Sequence, residues 1–163
     1  MALRLVKKRA LLVVAPKEFT DHEFLQPKAV LDGEGVEVVT CSISRGACRG
    51  SAGTIVHADI SLEEAHAEDY DAVIVVGGSG CREHLWHSAE LLSLLKEAQE
   101  KGRIVGAIGR ARHCLANAGL FSGDFASGPP VEVNGEIIAG RPPATTPGWS
   151  SKAFGQVVAE HLR

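Results

Sequence analysis

The chain has 163 residues, 45% of them hydrophobic, which is enough for one domain with a full core and too short for two of ordinary size. A net charge of only −3, no long basic run and 5% aromatic residues exclude the electrostatic and stacking footprint of a nucleic-acid binder. The longest apolar runs, such as Leu11 to Ala15 and Ala72 to Val76, are strand-sized, far below the roughly 20 residues a membrane helix needs, so no membrane partner is expected.

MALRLVKKRA opens with its basic residues after the apolar ones and runs straight into a strand, unlike a signal peptide; cytoplasm is the default compartment. Ala10 to Ala15 reads as a first buried strand. Thr20 or Asp21 caps a helix to about Asp32, with Pro27 expected to kink it and Gly33 and Gly35 after it. Val36 to Ser42 is a second strand. Arg45 to Gly53 reads as a polar, Gly-rich connection leading to a short strand or hairpin at Thr54 to Asp59. Ser61 and Glu64 have the spacing of a capping box that starts a short helix before Tyr70. Asp71 to Val76 is the clearest strand, ending in the turn Gly77-Gly78-Ser79-Gly80, and a long amphipathic helix is predicted from about His84 to Lys101.

Arg103 to Ile108 reads as a buried strand and Arg110 to Ala118 as a helix ended by Gly119, which leaves Gly109 at the sharp bend between them. Such bends at the carboxyl edge of a parallel sheet expose a side chain to backbone N–H groups and often hold a nucleophile. Here the bend carries no side chain. Val131 to Ala139 is a hairpin around Asn134-Gly135, Arg141 to Gly148 is Pro-rich and irregular, and Ser150 or Ser151 caps a last helix striped by Phe154, Val157, Val158 and Leu162. With no internal repeat or linker, residues 1–163 read as one α/β domain.

EFTDHEF after the first strand, DAVIVVGGSG, GRIVGAIG followed by LANAGL, and the hairpin VNGEIIAGR together resemble the ThiJ/PfpI family of the class I glutamine amidotransferase-like superfamily. The resemblance covers nearly the whole chain in order. It implies a flavodoxin-like three-layer α/β sandwich with a mostly parallel central sheet and a C-terminal hairpin, and a homodimer or higher homo-oligomer. In typical members the bend reads A-I-C-H-G-P, with a cysteine nucleophile, a histidine beside it and a glutamate from the first helix. Ala107-Ile108-Gly109-Arg110 matches only the first two positions: Gly109 stands for the cysteine and Arg110 for the histidine. Alignment on the EF pair places Thr20 at the glutamate position. The segment between Gly123 and the hairpin also looks shorter than in the family.

Two uses of this corner compete. Arg110 and Arg112, in the first turn of a helix, oppose its dipole, which an anion would explain. With the free N–H groups of the bend, the turn Gly78, Ser79 and Gly80, and Thr20, they form a candidate site for a carboxylate or phosphate on a small ligand, or for a protein partner. Their competing role is in salt bridges with Glu18, Asp21 or Glu23, or across a subunit interface. The alternative is an enzyme of glyoxalase, deglycase or hydrolase type that uses Cys81 as a relocated thiol with His84 or His113 as base. Cys81, His84 and His87 are spaced three apart, a weak metal signal, and no metal or cofactor is expected. The four cysteines form neither a CxxC pair nor a disulfide framework and read as free thiols: Cys114 buried and inert, Cys41 at a strand end, Cys48 in a flexible loop. His22, His57 and His66 read as solvated.

Overall fold

A computed structural model of the chain describes residues 7–121, 129–141 and 149–163. Seven strands form the main sheet: β1 (Arg9–Val13), β3 (Glu37–Ser42), β6 (Ile60–Ser61), β7 (Ala72–Val75), β8 (Ile104–Ile108), β9 (Val131–Asn134) and β10 (Ile137–Gly140). Their order is β6-β3-β1-β7-β8-β10-β9, parallel throughout except for the β10–β9 hairpin. The central strands are apolar on both faces, as a sheet covered on both sides requires. Leu11, Val13, Val73, Val75, Val105 and Ala107 point to one face and pack under α2 (Ser79–His84), α3 (Ala89–Glu100) and α4 (Arg112–Asn117). Ala10, Leu12, Ile74, Ile104 and Ile108 point to the other, under α1 (Asp21–Gly33) and α5 (Trp149–Leu162), where Phe24, Leu31, Phe154 and Val158 are buried. Two helical layers thus enclose the sheet. Phe154 alone accounts for roughly 2–3 kcal/mol of apolar burial, and its ring lies only 3.0 and 2.9 Å from where Cβ atoms on Gly106 and Gly140 would stand.

Several elements differ from their predicted form. Gly46–Gly50 is a strand, β4, paired with β2 (Lys17–Phe19) and with β5 (Ile55–Ala58) in a second, three-stranded sheet. Cys48 is therefore buried on a strand and does not lie in a flexible loop. One of the glycines that suggested a loop serves close packing instead: a Cβ on Gly50 would stand 2.5 Å from the Asp21 carboxylate, which accepts from the amides of Ala52 and Thr54. Burial pushes the Asp21 carboxyl up, but hydrogen bonds from Thr54 and Ala52 outweigh it and hold it below the usual range.

The helix predicted from His84 is two helices. α2 starts earlier, at Ser79, and the chain turns through 85–88 before Ser88 caps α3 by accepting from the Leu91 amide at 3.2 Å. The Ser61–Glu64 capping box is present, yet it opens only a single turn of 3-10 helix, with a second at Ala67–Asp69. α1 runs on through Pro27 to Gly33; the proline removes only the N–H that would bond the Glu23 carbonyl. In the β9–β10 hairpin the positive φ falls on Gly135 (+62°) alone and not on Asn134. α5 already starts at Trp149, so Ser151 lies within the helix, buried, with its Oγ 2.7 Å from Nδ1 of His22. His22 is thus a tie between α1 and α5, not a solvated histidine. The Pro-rich stretch at 142–148 and most of the segment expected to be short, 122–128, lie outside the described residues.

Candidate active-site corner

The corner forms where β1, β7 and β8 end, the edge at which parallel α/β sheets hold ligands. β8 ends at Ile108, and Gly109 turns the chain with φ +63° into one 3-10 turn (Gly109–Ala111) that leads into α4. That left-handed backbone costs an L-residue on the order of 1 kcal/mol and costs glycine nothing comparable. The bend of a nucleophile elbow is therefore retained without its side chain.

The carboxylate facing this bend is Glu23, and not a group at position 20. Oε1 of Glu23 accepts from the Gly77 amide at 3.1 Å, and its Oε2 lies 2.5 Å from where a Cβ on Gly109 would stand. Thr20 is the residue before α1: its amide donates to the Gly77 carbonyl at 3.0 Å, and its side chain makes no cap. The misassignment has a simple cause. An α1 that starts at Asp21 places Glu23 four and eight residues before Pro27 and Leu31, on the buried face with Phe24. That spacing was present in the sequence, but alignment on the EF pair pointed elsewhere. Gly77 was missed for a related reason: a Cβ there would stand 2.5 Å from Glu23 Oε1, 2.6 Å from the Ile108 carbonyl and 2.9 Å from the Arg110 amide.

Glu23 is 4% exposed, and burial pushes its carboxyl up to about 7, against the Gly77 hydrogen bond and the charges of Arg112 and Arg110. Both arginines thus bear on it electrostatically. Arg112 is buried, with Nε donating to the Gly109 carbonyl at 3.0 Å, whereas Arg110 is exposed and its carbonyl accepts from the Trp86 indole at 2.8 Å. Trp86 stacks on His113 with centroids 4.1 Å apart. Burial, with Arg112 and Arg82 nearby, lowers the His113 pKa.

The turn Gly78-Ser79-Gly80 does not open toward the corner as expected of a ligand cradle. Cβ atoms on Gly78 and Gly80 would stand 2.6 Å from the Glu18 carbonyl and 1.8 Å from the Lys17 carbonyl, so these glycines let β2 lie directly over the turn. Glu18 itself holds a left-handed φ of +61° at a bulge in β2. Ser79 is exposed. Cys81 is fully buried, its Sγ 3.9 Å from that of Cys114; the hydrogen bond to Cys114, then burial, drive its pKa far above the ordinary thiol value. His84 and His87 do not gather with it, and among the described residues no group of three or more His, Cys, Asp or Glu is placed to hold a metal.

A flavodoxin-like sheet with an elbow after β8 and a first-helix glutamate aimed into it defines the class of DJ-1-like α/β proteins. Residues 8–141 match the DJ-1/PfpI family model, and the chain belongs to that family. It is 35% identical over 119 residues to an uncharacterized protein of Methanocaldococcus jannaschii, a match that spans 73% of this chain and 58% of that one. A deglycase of Pyrococcus horikoshii is 26% identical over 155 residues, 85% of this chain and 93% of its own. Among solved structures, a ThiJ/PfpI domain protein from Brachyspira murdochii superposes with a TM-score of 0.87 at 26% identity, covering 96% of this chain and 98% of that one. DJ-1beta of Drosophila melanogaster shares the fold, with a TM-score of 0.82 at 24% identity over 96% and 91% of the two chains. Among the described residues no helix is long and apolar enough to cross a membrane.

Proposed function

We propose that this chain is a catalytically diverged member of its family that has given up thiol chemistry and uses the elbow corner to bind a small anionic ligand. The observation that carries the reading is Gly109 itself: the bend has no nucleophile, and the Glu23 carboxylate lies against the backbone where a thiol-bearing side chain would start. Charge supports it. Arg110 and Arg112 outnumber Glu23, and a Glu23 carboxyl with a pKa of about 7 is partly protonated near neutrality, able to donate a hydrogen bond to an incoming carboxylate. The cytoplasm and a homodimer complete the proposal, the first supported by four free thiols and the second by family resemblance.

The competing reading draws on relatives named deglycases and needs a thiol in another place. Cys81 suits that role poorly, because a nucleophile needs an accessible thiolate and this thiol is buried and held protonated.

Thermal unfolding with acetate and with inorganic phosphate as probes tests the binding reading. Millimolar probe is expected to raise the Tm of the wild type and to leave Arg110→Ala unmoved. Equal shifts in both proteins would place the anion elsewhere and contradict the proposal.

A further inference from the structure

Two nucleophilic groups remain unused by the proposed site, Cys81 in α2 and Cys114 in α4. Both are completely buried, and their sulfur atoms face each other at 3.9 Å. The other two thiols have different neighbours: Cys41 Sγ lies 3.7 Å from the Ser42 carbonyl and Cys48 Sγ 3.7 Å from that of Gly46. The two helices that carry the facing pair follow the adjacent strands β7 and β8. Local bonds fix their relation: the amides of Leu85 and Trp86 donate to the Cys81 carbonyl, and the Trp86 indole donates to the Arg110 carbonyl.

We propose that Cys81 and Cys114 form a modification site, a buried dithiol that a hydroperoxide converts into an intramolecular disulfide joining α2 to α4 behind the elbow. The sulfur atoms have to close by roughly 1.9 Å to reach a disulfide bond length, a movement that side-chain rotation can supply when both thiols already face each other. The chemistry balances in two steps. One thiol attacks the peroxide oxygen, breaking the O–O bond to give a sulfenic acid and water. The second thiol then displaces hydroxide from that sulfur, which forms the S–S bond and releases a second water. In total two thiols lose two electrons and two protons to one hydrogen peroxide, which leaves as two waters.

The Cys114 hydrogen bond and then burial keep the Cys81 thiol protonated, so oxidation waits on local opening of α2, a helix of only six residues. The bond closes the loop between positions 81 and 114 and ties together the two helices that flank the elbow. By loop-closure entropy it raises the Tm by on the order of 5–10 °C.

The test treats the reduced full chain with hydrogen peroxide, removes the oxidant, counts thiols after denaturation and maps linked peptides by mass spectrometry. The expected result is a fall from four thiols to two, a Cys81–Cys114 peptide pair lighter by two hydrogens, and a Tm increase that dithiothreitol reverses. Cys114→Ser is expected to give neither linked peptide nor Tm increase, with Cys114→Ala serving where serine unfolds the core. Four surviving thiols, linkage through Cys41 or Cys48, or the same Tm increase in the Cys114 variants would overturn the proposal.

Discussion

Glu23 is the residue on which the corner depends, and its titration is its clearest signature. Its carboxyl titrates near 7 in the folded chain against an ordinary value of 4.5, so between those values the folded state holds a proton that the unfolded state has lost. Its contribution to stability is therefore present below pH 4.5 and lost as pH rises through 7, on the order of 3 kcal/mol in all. Glu23→Gln removes this dependence: it is expected to match the wild type near pH 5 and to exceed it by about 1–3 kcal/mol at pH 8.5, in urea unfolding at both pH values. A constant difference across that range would show that Glu23 does not carry the shift. Gly109 is the second residue to probe. Gly109→Cys restores a thiol in a left-handed backbone and against the far end of the Glu23 side chain, at a cost of about 1–2 kcal/mol. It is expected to create one thiol that iodoacetamide modifies well ahead of the four natural ones, which are all buried.

At the scale of elements, the glycines of the β7–α2 turn and β2 act as one unit. The Lys17 carbonyl sits so near Gly80 that Gly80→Ala has to displace a strand, and a loss of about 3 kcal/mol is expected. Ser79→Ala, at an exposed neighbour, is expected to change stability by less than about 0.5 kcal/mol. Should the two variants unfold at the same urea concentration, the turn would not be held by β2. α1 and α5 form a second such unit. A Cβ on Gly155 would stand 2.9 Å from the Pro27 Cα, and the His22–Ser151 bond ties their first turns together. α1 is thereby braced from behind while its first turn presents Glu23 to the elbow.

At the scale of the whole molecule, most of the fold was legible because buried parallel strands and the helices between them leave continuous apolar runs and periodic stripes. Ala72–Val75 and Ile104–Ile108 were found for that reason. Of the apolar stripe that the helical period gives, Leu85, Leu91, Leu92, Leu94, Leu95 and Ala98, four residues are buried on α3, Leu92 is half-buried and Leu85 lies at the end of α2. Elements whose pattern is set by contacts remote in sequence were not. β4 looked like a loop because of its glycines, and Gly50 answers to Asp21, a residue of another element. The α2–α3 break was hidden by an unbroken helical composition through Leu85 and Trp86. At the site, the empty bend at Gly109 was plain, while Glu23 was hidden by an alignment that ignored the helical face it shares with Pro27 and Leu31.

The central claim, that the corner binds and does not perform thiol chemistry, is tested most directly by methylglyoxal consumption by the wild-type chain alongside Cys81→Ser and Glu23→Gln. The account predicts no turnover above buffer in any of the three. Turnover by the wild type that disappears in Cys81→Ser would contradict it.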